Sequence, residues 1–475
     1  MRIIIGTLLA AAVAAPSVWQ REPQPSVPTF SETIAPIVFN NCVSCHRTGE
    51  AAPFTLTSYE DVAKRAELIA KVTGSRYMPP WKAVKGHGEF KDERRLTDAQ
   101  IASIREWAKG GTPRGDVSKI PALPTFTEGW QLGKPDLILE MPVEYNIPAS
   151  GPDAYRNFAI PTGLTEDKWV RAVEFRPSAR RAVHHALFSF IRGGAVASLE
   201  GRGGQPGFGG AMPVALVPGF QPAGELGGWA VGTTPRDFPG GIARRLAKDS
   251  DLVVQMHFHP TGKAQVERST IGIYFAAGPP DRRVFTPGIP GFFGLLAGID
   301  IPPGEKAFTI TGTYTVPRDM QALSIAAHAH YLGKEIKVDA ALPDGTTKPL
   351  LWIQDWDFNW QDRYDYKEPV LLLKGTRIDI SITYDNSADN PHNPCNPPRR
   401  VRWGVQSFDE MGSVNFMMLP MNPAEQEQAQ QKMAEGLKQA ISNAMQSDAV
   451  KRYVAEQKRF MEDPSREGAD PCAAR

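Results

Sequence analysis

The sequence predicts a multidomain chain: a small all-α domain, two all-β sandwiches of jelly-roll-like type, and a C-terminal helix. Three observations carry this. Residues 29–117 contain two capping-box spacings, each followed by apolar residues at helical intervals. After Trp130 that periodicity stops, and short apolar runs separated by Pro and Gly continue to Pro420. Beyond Asn422, Gln and Ala dominate residues 425–445, with Met433, Leu437, Ile441 and Met445 forming a thin apolar stripe.

The chain has 475 residues, enough for several cores. Its 53 basic and 52 acidic residues leave a net charge of +1 without a basic stripe, which argues against nucleic acid as a partner. The first 15 residues read as an export signal. Arg2 supplies the positive end, Ile3 to Val13 the apolar stretch, and Ala12-Val13-Ala14 the small-x-small cleavage pattern. The run is too short for a typical membrane span, and no other stretch approaches that length. The expectation is a periplasmic or secreted soluble protein with no stable membrane span after cleavage.

Residues 16–28, rich in Pro and Gln, read as a linker. Thr29-Phe30-Ser31-Glu32 opens a short helix through Ile34, Ile37 and Val38. That helix runs into Cys42-Val43-Ser44-Cys45-His46. CxxCH is the attachment signature of c-type haem: two thiols add to the vinyl groups and the histidine takes the iron. Zinc would want a second ligand pair nearby, and no second Cys pair follows. The sixth ligand is expected to be Met78, in Met78-Pro79-Pro80, where two prolines fix the loop; His87 is the rival. Thr97-Asp98-Ala99-Gln100 leads a second helix through Ile101, Ile104 and Trp107. With helix, CxxCH, Met loop and helix in this order, residues 29–117 resemble a monohaem cytochrome c domain.

Residues 118–128 form the next linker. The β region that follows runs for about 290 residues and suits two sandwiches rather than one; the boundaries are set at 130–285 and 286–422, with a helical tail over 423–475. The Gly-rich stretch 193–210 reads as a flexible loop. Cys472 falls in an end without regular structure, and its pairing with Cys395 is the less favoured reading.

Six of the nine histidines fall in three tight clusters, His184-His185, His257-x-His259 and His328-x-His330. Histidine is the commonest metal ligand. In a strand, residues two apart share a face, so His328 and His330 form half of a metal site. Adjacent His184 and His185 would point to opposite faces of a regular strand. For both to bind one metal the backbone must bend, or the rings must use different nitrogens.

His184-His185, Gln255-Met256-His257, His328-Ala329-His330-Tyr331-Leu332-Gly333-Lys334 and Asp409-Glu410-Met411 occur in the order seen in the copper type II, ascorbate-dependent monooxygenases. This family includes the peptidylglycine α-hydroxylating and dopamine β-monooxygenases. The resemblance covers roughly residues 130–420. It implies two copper ions: an electron-transferring one on His184, His185 and His257, and an oxygen-activating one on His328, His330 and Met411, facing each other across a solvent-filled cleft. A thioether favours Cu(I). His259 is read as a support behind the ligand histidines or as part of the cleft wall. Unlike its animal relatives this β region has a single cysteine, Cys395, and Gly412 stands where those relatives carry cysteine. Their substrate residues are therefore not carried over.

The function expected is copper-dependent monooxygenation. O2 and a small organic or peptide substrate meet at His328, His330 and Met411. Electrons arrive through the haem c held by Cys42, Cys45, His46 and Met78, from ascorbate or a periplasmic redox protein. The alternative is a non-catalytic haem–copper electron-transfer or copper-binding protein. A serine hydrolase is not supported, because no GxSxG occurs.

Overall fold

The computed structural model describes residues 27–151, 153–210, 222–280 and 282–422, and six positions beyond them: 442, 446, 450, 451, 455 and 472. The export signal and most of the C-terminal helix expected from the sequence lie outside the described residues. Most regular structure is β. Among the described residues no helix is long and apolar enough to cross a membrane.

Four short helices, Ala35–Asn41, Tyr59–Ala63, Ala66–Gly74 and Asp98–Lys109, form the N-terminal unit. Its core gathers Phe30, Ile34, Val38, Leu56, Ile69, Ile104 and Trp107. Burying each large apolar side chain contributes about 1.5–3 kcal/mol, which lets helices this short persist. Thr97 caps the last helix in both directions: its side chain accepts from Gln100 N, and Gln100 Oε1 accepts from Thr97 N. The capping box expected at Thr29 does not form. The chain there winds as a π-turn over Phe30–Ile34 without a side-chain cap, and Glu32 turns outward to pair with Lys119.

Residues 81–91 leave the helices and join the second sandwich. Ala83 bridges Ile353, Phe90 bridges Tyr366, and both side chains are buried in that sandwich's core. Local periodicity could not reveal this, because the pairing partners lie more than 200 residues away in sequence.

The first sandwich packs two antiparallel sheets. One has the order Phe208–Gly209, Ala154–Pro161, Ser250–Phe258, Val183–Arg192, Pro222–Ala230. The other runs Leu137–Glu140, Thr270–Phe275, Lys168–Arg176, Arg244–Leu246. Every residue of Ser250–Phe258 is buried, as a central strand covered on both faces requires. The stretch 193–210 is not a loose loop: Val196, Leu199 and Phe208 are buried against Ile191 and Val253.

The second sandwich repeats the plan. Its site-bearing sheet has the order Gly288–Ile289, Gly412–Pro420, Met320–Ala329, Arg363–Leu372. The facing sheet runs Phe308–Thr315, Arg377–Tyr384, Gly333–Ala341, Thr347–Ile353. Leu323 and Leu419 of this sandwich join the core of the first, so the two are packed together. Cys395 and Cys472 form a disulfide with Cα atoms 4.6 Å apart, correcting the sequence expectation. Long-range pairing of this kind leaves no local pattern.

Candidate metal centres

The adjacent histidines of the first sandwich are reconciled by the backbone. Val183 pairs with Phe258 and His185 with His257, and the register shifts between them. His184 is the extra residue of a β-bulge, which turns two consecutive side chains toward one side. His184 Nδ1 and His185 Nδ1 are 3.2 Å apart, and His257 Nδ1 lies 3.4 Å from His185 Nδ1. One ligand atom from each of the three rings fits within 4.8 Å of the others. The rings therefore converge through the same nitrogen, by bending the chain.

Around this group the rings are held from outside. Tyr155, cross-strand from His257, stacks on it at 4.3 Å between centroids. Asp153 Oδ2 accepts from His257 Nε2 at 2.8 Å, and Oδ1 from His259 Nδ1 at 2.7 Å. Burial alone would raise the Asp153 carboxyl, but the hydrogen bonds and charges of His257 and His259 outweigh it and hold it well below the usual range. Burial, then the charges of neighbouring histidines, pushes His184 down to about 3 and His185 well below its ordinary value. These two rings are thus neutral near pH 7. Because the proton of His257 sits on Nε2, its Nδ1 presents a lone pair to His185. Three imidazole nitrogens crowded this closely, two of them on rings that burial keeps neutral, form an arrangement suited to a shared cation. The donor set fits copper.

The second group is assembled across two neighbouring strands. His328 pairs with Ser413 and Ala329 with Gly412, the last pair of the ladder, and His330 and Met411 are the next residues on either side. The His328 and His330 rings stand at 87° with centroids 5.1 Å apart. His328 Nδ1 donates to Gln361 Oε1 at 2.6 Å, and His330 Nδ1 to the Asp409 carbonyl at 3.1 Å. The Gln361 amide is itself oriented by Nε2 donating to Phe358 O. Both histidines therefore keep Nε2 for a metal. Fully buried Glu410 accepts from His330 N, Leu332 N and Met411 N, which ties the Met411 turn to the histidine strand. Burial pushes its carboxyl up to about 8 against the pull of those three donors. Two imidazoles together with a thioether, were Met411 to complete the set, would fit copper better than zinc.

Gly412 has a steric reason: a Cβ there would collide with Tyr384 Oη and meet Ile310 Cδ1 at 3.0 Å. Tyr384 Oη donates to the Met411 carbonyl. The cysteine that the resemblance would place at this position has no room here.

Phe358 lies between the two groups. It stacks on His184 at 4.9 Å and meets His330 edge-on at 5.5 Å. The cleft implied by the resemblance is occupied at this point by one aromatic ring. Asp153, Gln361 and Phe358 were not legible in the sequence. Each is a single residue remote from the histidine motifs, without a signature spacing.

In the N-terminal unit, Cys45 N and His46 N both donate to the Cys42 carbonyl, closing one turn that brings the three motif residues together. Both thiols are free. Burial, then Cys45, pushes the Cys42 thiol up to about 12. His46 Nδ1 donates to the Phe54 carbonyl at 3.0 Å, leaving Nε2 for iron. This is the tautomer a haem ligand requires, so the motif fits the group. Met78 follows the helix Ala66–Gly74, its N–H donating to the Val72 carbonyl at 3.1 Å, and the Tyr77 ring before it meets Trp360 at 6.4 Å. His87 is elsewhere: its ring packs 4.7 Å from Trp352 of the second sandwich. On the other flank, Arg180 pairs with Glu50 at 2.6 Å and Arg181 donates to Ala52 O, just before His184.

No family model matches this chain, and no curated protein does. Among solved structures, PNGF-II is similar at 11% identity over 58% of this chain, with a TM-score of 0.21; the match spans 65% of that protein. Allantoicase matches at 10% over 57% of this chain and 80% of its own, with a TM-score of 0.17. The major capsid protein P2 of bacteriophage PM2 matches at 10% over 58% of this chain and 97% of its own, with a TM-score of 0.23. Likeness at this level carries nothing about the chemistry.

Proposed function

We propose that this chain is a copper-dependent monooxygenase that hydroxylates a C–H bond of a small organic or peptide substrate with O2, its electrons supplied through a c-type haem on the N-terminal unit. One observation carries the reading: two histidine groups on separate sandwiches face each other across the single ring of Phe358, and the chain next to the second leads directly into Met411. His184, His185 and His257 would hold one copper; His328, His330 and Met411 would hold the other. Copper in these sites supplies single-electron storage and reductive activation of O2. The chain itself fixes which nitrogen each ring offers, through Asp153, Gln361 and the Asp409 carbonyl. Phe358, and Phe293 edge-on to His328 at 5.5 Å, set apolar rings against the histidines.

Cys42 and Cys45 would anchor the haem, with His46 and Met78 on its iron. Two contacts support its role as electron source. The loop after His46 is held by Arg180 and Arg181, and Tyr77 beside Met78 touches Trp360, whose neighbour Gln361 bonds His328. Ascorbate or a periplasmic redox protein would reduce the haem in turn.

The test is substrate-dependent oxygen uptake by the exported, copper-loaded chain supplied with reductant. Uptake is expected to vanish in Met411→Ala and in His328→Ala while haem absorbance is retained. Uptake that never depends on an organic compound across a broad screen defeats the monooxygenase reading.

A further inference from the structure

We propose that Asp153 is the positioning residue of the three-histidine site and that it ties this site to the opposite sandwich; the inference rests on the copper reading of His184, His185 and His257. Asp153 stands just before Ala154–Pro161, at the end of the ladder where Ala154 pairs with Phe258 and Tyr155 with His257. From there its two oxygens reach two different rings, Oδ2 to His257 Nε2 at 2.8 Å and Oδ1 to His259 Nδ1 at 2.7 Å. The Asp153 side chain is 14% exposed and that of His257 is fully enclosed, so water does not compete for the inner bond.

Two constraints define the His257 ring. Stacked Tyr155 fixes its plane, with 11° between the rings, and Asp153 fixes which edge carries the proton. With the proton on Nε2, the Nδ1 lone pair can only face His185 and His184. A carboxylate acceptor also makes the imidazole a stronger donor than a neutral acceptor would. The same Oδ2 accepts from Ser407 Oγ at 3.2 Å. Ser407 belongs to the second sandwich, two residues before Asp409, whose carbonyl holds His330. One carboxylate thus links a ligand of the first group to the turn that holds a ligand of the second.

The experiment is copper titration of the full chain against a competing chelator, with paramagnetic resonance of the Cu(II) form. Asp153→Ala should weaken copper at the three-histidine site by about 10–100-fold. Asp153→Asn, whose single oxygen can still accept from His257, should recover most of that loss yet shift the hyperfine splitting. The unfolding midpoint of the copper-free variants controls for folding. Wild-type affinity and spectrum in Asp153→Ala overturn the proposal. If that variant does not fold, an unchanged spectrum in Asp153→Asn overturns it. A wild-type chain without a nitrogen-ligated copper signal refutes the metal reading and this inference together. A normal wild-type signal with indifferent Asp153 variants removes this inference alone.

Discussion

The histidine group of the first sandwich and that of the second both sit on central antiparallel strands, but their rings are turned opposite ways. In the first, Nδ1 atoms converge and an outer nitrogen of His257 is held by a carboxylate. In the second, Nδ1 atoms point outward to an amide and a carbonyl, leaving Nε2 inward. The difference follows from the backbone. A bulge places His184 and His185 side by side, so the near nitrogens meet; His328 and His330 stand two apart on one face, their near nitrogens taken by outer acceptors and their far nitrogens left open. The outer acceptors differ in charge as well. An anionic acceptor stabilises a more oxidised metal, whereas neutral acceptors and a thioether favour Cu(I). Under the copper reading, the two groups would favour different oxidation states.

The largest effect that would test this contrast is at His185, whose Nδ1 lies close to both partners. His185→Ala should lower copper affinity at the first group by more than about 100-fold, exceeding the usual cost of losing an outer partner. Chelator competition should show the second group unchanged. Simultaneous loss at both groups would mean that they are not separate sites.

A smaller effect is expected at Gln361. Gln361→Leu removes the acceptor of His328 Nδ1 and should weaken copper at the second group about 10–100-fold. The same titration reads it, and an unchanged affinity would show that His328 does not depend on this bond to offer Nε2.

The smallest concerns packing rather than ligands. Gly412→Ala should destabilise the chain by about 1–3 kcal/mol, as overpacking does, read by urea unfolding. Adding Tyr384→Phe, which removes the hydroxyl a Cβ would strike, should restore part of that loss. Without such relief, the strain lies against Ile310 and Ile382 instead.

What the sequence could reveal depended on the range of the interaction. His328 and His330 share a face because strand periodicity is local, and the Thr97 capping box spans only three residues. The Thr29 spacing was equally local, yet docking of Phe30 in the core won over the cap. His184 and His185 were left open because a bulge is set by pairing with Ser250–Phe258, some 70 residues on. The departure of residues 81–91 and the Cys395–Cys472 bridge are long-range in the same sense.

Phe358 is also a bolt with fastened ends. Asp355, before it, is held by Lys82 at 2.9 Å, and Asp362, after it, is held by Arg94, which also donates to Gly232 O of the first sandwich. The loop that sets Phe358 between the two histidine groups is thus fastened to the same 82–94 segment that joins the helical unit to the second sandwich.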